Sequence, residues 1–173
     1  MGATKMAEIK DVENKMISVL SSELELYQEL LKLSQKKTDI LVKGDVKLLD
    51  EITKIEQDMI MRMGKLEAKR GNIIKKIAET YKKDIKQINM SFLKQIMTQE
   101  NIKKLENLQE DMKYTLKQID EKNRDNERLI KQALEYIDFS VDLLKDVGQT
   151  KSNYNPDGKD SKNRAFHFID KKA

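Results

Sequence analysis

The sequence predicts an all-α fold: an elongated antiparallel helical bundle or coiled coil of three long helices, with a short connecting helix and a flexible C-terminal tail. Charged residues make up 37% of the chain, against about 25% in an ordinary globular protein. One proline and six glycines in 173 residues leave little to interrupt a helix. Apolar residues recur at steps of three and four over most of the length, the spacing of one helical face. Aromatic residues reach only 5% and tryptophan is absent, so Ile, Leu, Val and Met must build the interior, which suits helix seams better than a compact globule. The chain is long enough for one domain with a real core and too short for two well-buried ones.

The first helix is expected from about Glu8 to Val42, with Val12, Met16, Val19, Leu20, Tyr27, Leu30, Leu31 and Leu41 on its apolar face. Gly44 stops it, and Asp45 is placed to cap the second helix. There Ile52, Met59, Leu66 and Ile73 fall seven apart, with Leu49, Met63 and Ile77 marking a companion seam position. So short a connection requires an antiparallel hairpin. Phe92, Leu93, Ile96 and Met97 read as a short helix closing one end of the bundle. Thr98 can cap the last helix, whose expected seam runs Ile102, Leu105, Gln109, Met112, Leu116, Ile119, Asn123, Asn126, Ile130, Ala133, Ile137, Ser140, Leu144. A helix from Gln99 to Val147 would be on the order of 70 Å long, longer than either partner. The domain reading is therefore a helical bundle over 1–147 and a tail over 148–173.

Two features of the last helix stand out. Asn123 and Asn126 fall at consecutive seam positions, where a buried amide either fixes register or faces a groove and bonds another chain. Farther on, at about 100° per residue, Ile130, Leu134, Ile137, Val141 and Leu144 cluster on one side, while Tyr136, Phe139, Leu143 and Val147 lie roughly 120–150° around the helix. One contact buries only one such stripe. The other needs a helix of the same chain, a second copy in a homodimer, or a foreign partner.

The net charge of +4 and a pI near 9.0 do not read as a nucleic-acid footprint. From Gln149 onward there are six Lys/Arg against three Asp/Glu, leaving 28 against 27 before that point, so the helical body is almost neutral and its charges form a solvated mixed surface. The absence of cysteine excludes disulfides, thiol nucleophiles and Cys-based metal sites. The one histidine, His167, lies in the tail, so no Glu-x-x-His pair can build a helical di-iron site. No glycine-rich phosphate loop is present. Neither catalysis nor a cofactor is expected. No secretory apolar region or membrane span is read from the sequence, and Met6 stands where a myristoylation motif wants Ser or Thr, so the cytoplasm is expected, without membrane insertion.

Glu23-Leu-Glu-Leu-Tyr27-Gln-Glu-Leu-Leu31, then Ile40-Leu-Val-Lys-Gly44-Asp45 and Leu48-Leu49-Asp-Glu-Ile52, followed by Glu121-Lys-Asn123-Arg-Asp-Asn126-Glu-Arg-Leu129-Ile130 and Tyr154-Asn-Pro-Asp157-Gly158, resemble the FlgN-type flagellar export chaperones in order and spacing. The resemblance implies a cytoplasmic, non-enzymatic chaperone of flagellar type III secretion. Its clients would be the hook-filament junction proteins FlgK and FlgL, held by their terminal helices. The family's client-binding region corresponds to the C-terminal helix, which makes Asn123, Asn126, Leu129, Ile130, Ala133, Tyr136, Phe139 and Leu143 the candidate contacts. In the family a tail tyrosine in a Tyr-x-x-Asp-Gly context is associated with docking on the gate component FlhA, which would place that role on Tyr154, Asp157 and Gly158. Pro156 and Gly158 oppose helix there, and a docking segment and a disordered tail are compatible readings. Phe166-His167-Phe168-Ile169 reads either as a second anchor or as a segment folded back on the bundle. The rival reading is a structural coiled coil whose apolar last helix mediates self-association.

Overall fold

The computed structural model describes the backbone of residues 3–152 and the side chains of residues 9–145. Four α-helices, α1 (Ala3–Lys43), α2 (Val46–Tyr81), α3 (Met90–Ile96) and α4 (Gln99–Ser152), and one 3-10 turn (Ile85–Gln87) account for almost all of it, with no strand among the described residues. The fold is the expected all-α bundle of long helices. Helix α4 continues past Val147 to Ser152, because Gly148 only weakens a helix and the first residue that forbids one is Pro156. The chain divides into two compact units, Met1–Gln132 and Ala133–Ala173.

In the first unit each boundary has a local cause. Gly44 closes α1 in the left-handed region, φ 69°, where its N–H reaches the Leu41 carbonyl and the Asp45 N–H that of Ile40. The Asp45 carboxylate then accepts the Leu48 N–H at 3.0 Å and starts α2. Lys82 ends α2 in the same left-handed region, φ 51°, its N–H donating to Ala78 and Glu79, a conformation that costs a non-glycine residue about 1 kcal/mol. Asp84 and Gln87 form a reciprocal capping box around the 3-10 turn, and the Asn89 side chain caps α3 through Phe92 N–H.

Helices α1 and α2 form the antiparallel hairpin, and their facing residues step by sevens. Met16 packs with Ile77 in the core cluster, Glu23 pairs with Arg70 at 2.9 Å, and Lys37 pairs with Glu56 at 2.7 Å. The same step sets Leu30 opposite Met63. Apolar and ionic layers thus alternate along the seam, with acid and base exchanged between the two ionic layers. Sliding the helices by one heptad would set each charge against an apolar residue, and sliding by two would oppose Glu23 to Glu56 or Lys37 to Arg70. Both penalties hold the hairpin in one register.

Helix α4 runs parallel to α1. Glu13 of α1 meets Thr98 and Asn101, while Ser34 and Thr38 meet Asn123 and Asn126. At the start of α4, Thr98 takes the expected cap position and accepts the Asn101 N–H at 3.4 Å. The stronger contact comes from α1, where the Glu13 carboxylate accepts from Asn101 Nδ2 at 2.8 Å and from Thr98 N–H at 3.3 Å. A carboxylate at this helix start also opposes the positive end of the α4 dipole. Around it lies the densest core, Met16, Ile77, Ala78, Ile88, Phe92, Leu93, Met97, Ile102 and Leu105. Phe92 meets Tyr81 edge to face at 5.4 Å, so the expected short helix does close this end.

The inward line of α4 runs through buried Leu105, half-buried Met112, and buried Ile119 and Asn126. Leu116, expected in the seam, is 42% exposed, and Thr115 is buried in its place at 4%. The two residues flank the same line on opposite sides, and packing in the bundle uses the Thr115 side although leucine is the more apolar residue.

The Glu23 carboxyl carries the main electrostatic strain of the seam. Burial pushes its pKa up from the ordinary value near 4.5, Arg70 pulls it part of the way back, and Glu67 adds to the rise. Its Oε1 has no hydrogen-bond partner. Because the folded pKa lies above the unfolded one, the destabilisation due to this group is absent below the ordinary carboxyl range and appears as pH rises through the folded value. Arg70→Ala, which leaves the buried charge alone, should cost about 3 kcal/mol at pH 7, the low end for a broken buried pair because Arg70 is itself partly solvated. Urea unfolding of both proteins at pH 7 and pH 5 should show that loss shrinking at the lower pH as Glu23 takes up a proton.

Candidate partner-binding surface

The candidate residues separate into two groups. Asn123 and Asn126 lie in the first unit and bond α1. Asn126 is buried, its Nδ2 donating to the Ser34 carbonyl at 3.0 Å and its Oδ1 accepting from Thr38 Oγ1 at 2.7 Å. Asn123 is exposed, although its Oδ1 accepts a longer bond from Ser34 Oγ at 3.3 Å. The buried amide therefore has an intrachain partner for both of its ends, the arrangement expected of a register-fixing seam residue. Leu129 is half-buried and Ile130 sits at the margin of exposure.

The register with α1 explains why burial fades there. Thr38 stands beside Asn126 and α1 ends at Lys43, so opposing residues on α1 run out about five positions later. From Ala133 to Lys145 every described side chain except Ser140 is exposed. Leu134, Tyr136, Ile137, Phe139, Val141, Leu143 and Leu144 have between 42% and 73% of their surfaces in solvent. The expected bundle seam through Ile137 and Leu144 is thus uncovered, as is the stripe of Tyr136, Phe139 and Leu143. The described residues supply no cover for either.

Both stripes keep heptad spacing. Tyr136, Phe139 and Leu143 step by three and four, and Leu134, Ile137, Val141 and Leu144 by three, four and three. Between them lie Ala133 and Ser140, and the Ser140 hydroxyl donates to the Tyr136 carbonyl at 2.8 Å. Lys131, Glu135, Asp138, Asp142 and Lys145 share the remaining face. Among the described residues no group of His, Cys, Asp or Glu is placed to hold a metal, and no helix is long and apolar enough to cross a membrane. Tyr154, Asp157, Gly158 and the Phe166–Ile169 cluster lie outside the described residues.

Sequence reasoning passed over the ionic layers of the hairpin. Their signal was present, because the heptad series Leu49, Met63, Ile77 skips two positions, and those positions hold Glu56 and Arg70. Ser34 and Thr38, which receive Asn126, carried no apolar signal to mark them.

A protein-family model described as FlgN protein matches residues 6–162 of the chain. No curated protein and no solved structure matches it.

The two readings of Asn126 separate in one experiment. Asn126→Ala leaves Thr38 without its amide acceptor and should lower stability by about 2 kcal/mol, read by urea unfolding, while leaving partner affinity within twofold. A tenfold loss of partner binding at unchanged stability would instead make the amide a contact to the partner.

Proposed function

Because the chain belongs to the FlgN family, and so is a flagellar export chaperone in the general sense, we propose that it acts in the cytoplasm on the hook-filament junction proteins FlgK and FlgL. It binds their C-terminal helical regions, prevents aggregation or premature assembly, and delivers them to the export gate through FlhA. The observation that carries this reading is the bare apolar surface of α4 between Ala133 and Lys145. Amphipathic client helices recognise such a surface by their own apolar faces, and holding them requires no catalytic group. Tyr136, Phe139 and Leu143 are the central contacts, with Leu129, Ile130 and Ala133 continuing the pattern toward the bundle.

Magnitudes support a large contact. Fully covering one large apolar side chain is worth roughly 1.5–3 kcal/mol, whereas association costs on the order of 4–15 kcal/mol. Because the seven bare side chains have between 42% and 73% of their surfaces left to cover, three of them reach only the low end of that cost and all seven are needed to match it. Self-association in a structural coiled coil is the second reading, favoured by the same surface, since another copy could cover part of it.

Calorimetric titration with C-terminal segments of the junction proteins, using the corresponding flagellin segment as control, tests the client. Micromolar or tighter binding selective for the junction segments, weakened at least tenfold by Tyr136→Ser with Phe139→Ser, is the expected result. Absence of binding together with stable self-association in sedimentation would favour the structural coiled coil. For the tail, Tyr154→Ala should weaken binding to FlhA and leave client binding intact. Equal loss of both would show that tail and helix do not act separately.

A further inference from the structure

Helix α4 carries two heptad seams between Ala133 and Lys145. A helix that packs against a single neighbour buries one stripe roughly 100° wide. Tyr136, Phe139 and Leu143 form one such stripe, and Leu134, Ile137, Val141 and Leu144 form a second with its own alternation of three and four. Each stripe has the spacing by which one further helix inserts its knobs. Residues seven apart, Ala133 and Ser140, separate the two stripes with small side chains. That ridge leaves room for two helices to approach one another across α4.

Ser140 would be the one polar group caught between them. Its hydroxyl already donates to the Tyr136 carbonyl at 2.8 Å, so covering it strands no hydrogen-bond donor. Lys131, Glu135, Asp138, Asp142 and Lys145 collect on the remaining narrow face, with Lys145 bonded to Asp142 at 3.1 Å. This face can stay in water while both seams are filled. A second copy in a two-fold dimer would set one α4 against the other and fill one seam of each, leaving the other bare.

We propose that one client chain supplies two amphipathic helices to α4, one in each seam, so that α4 becomes the inner helix of a composite three-helix bundle. This rests on the chaperone reading and specifies the chemistry of its client: two heptad-patterned segments of the same chain, the second bound at the high effective concentration created by the first.

The test uses the full chain with full-length FlgK and FlgL, combining calorimetry with hydrogen exchange on the client. Two variants open one seam each: Tyr136→Ser with Phe139→Ser, and Ile137→Ser with Leu144→Ser. A third, Asp138→Asn, changes only the polar face. All substituted side chains are exposed, and circular dichroism with thermal melting checks that the helices persist. The wild-type chain should protect two separate client segments. Each seam variant should weaken binding at least tenfold and release a different one of those segments, and Asp138→Asn should bind like wild type.

A single protected segment, or wild-type affinity in either seam variant, would overturn the two-helix proposal while leaving the chaperone reading standing. Failure of the wild-type chain to bind either client would bring down the chaperone reading and this proposal together. A self-assembled oligomer that excludes client and needs both seams would give the surface to further copies of this chain, and would also overturn the proposal.

Discussion

The two-residue connection at Gly44–Asp45 is the constraint on which the rest depends. It reverses the chain without slack, makes α1 and α2 antiparallel, and fixes where α1 ends. Within the first unit α4 runs parallel to α1 from Glu13 and Asn101 to Thr38 and Asn126, so the end of α1 also sets where that pairing stops. The second unit begins at Ala133, and its apolar side chains from Leu134 to Leu144 are exposed.

Within the first unit, the polar layers weaken the seam and sharpen it. Met–Ile and Leu–Met layers alone would tolerate a slip of seven residues. Glu23 with Arg70 and Lys37 with Glu56 do not, since every slipped register leaves a charge against an apolar side chain or a like charge. The cost appears at Glu23, whose Oε1 has no partner. Asn126 serves the same end between α1 and α4 at lower cost, since its amide is neutral and both ends are bonded. In a chain where nearly every helix has apolar residues at steps of three and four, such layers distinguish the right pairing from many similar wrong ones.

Much of this was legible in the sequence. Gly44 and Asp45 announced the turn and cap, Thr98 the start of α4, and Phe92, Leu93, Ile96 and Met97 the closing helix, because each acts through its nearest neighbours in the chain. The failures concern partners distant in sequence. Glu56 and Arg70 looked like gaps in a heptad because their apolar neighbours drew attention and their charge partners lie in another helix. Leu116 looked more buried than Thr115 because composition ranks leucine first, whereas the flank that faces the bundle is a tertiary fact. Of the candidate contacts, the two stripes were visible as spacing. That both stripes are exposed was not visible from spacing alone. The tail reading drew on family resemblance, since Tyr154 and Gly158 announce a break in helix but not what the tyrosine meets.

The Glu13 contact has a consequence for how the first unit opens. One carboxylate binds Thr98 and Asn101 within the end that also holds the aromatic pair of Tyr81 with Phe92 and most of the buried core. Local opening free energy follows buried contact density, so amide protons near α3 should exchange last, and protection should decline along the hairpin toward Gly44. The unit has a clamped end and a yielding end. Opening is therefore expected to begin toward the turn, with the start of α4 holding its register.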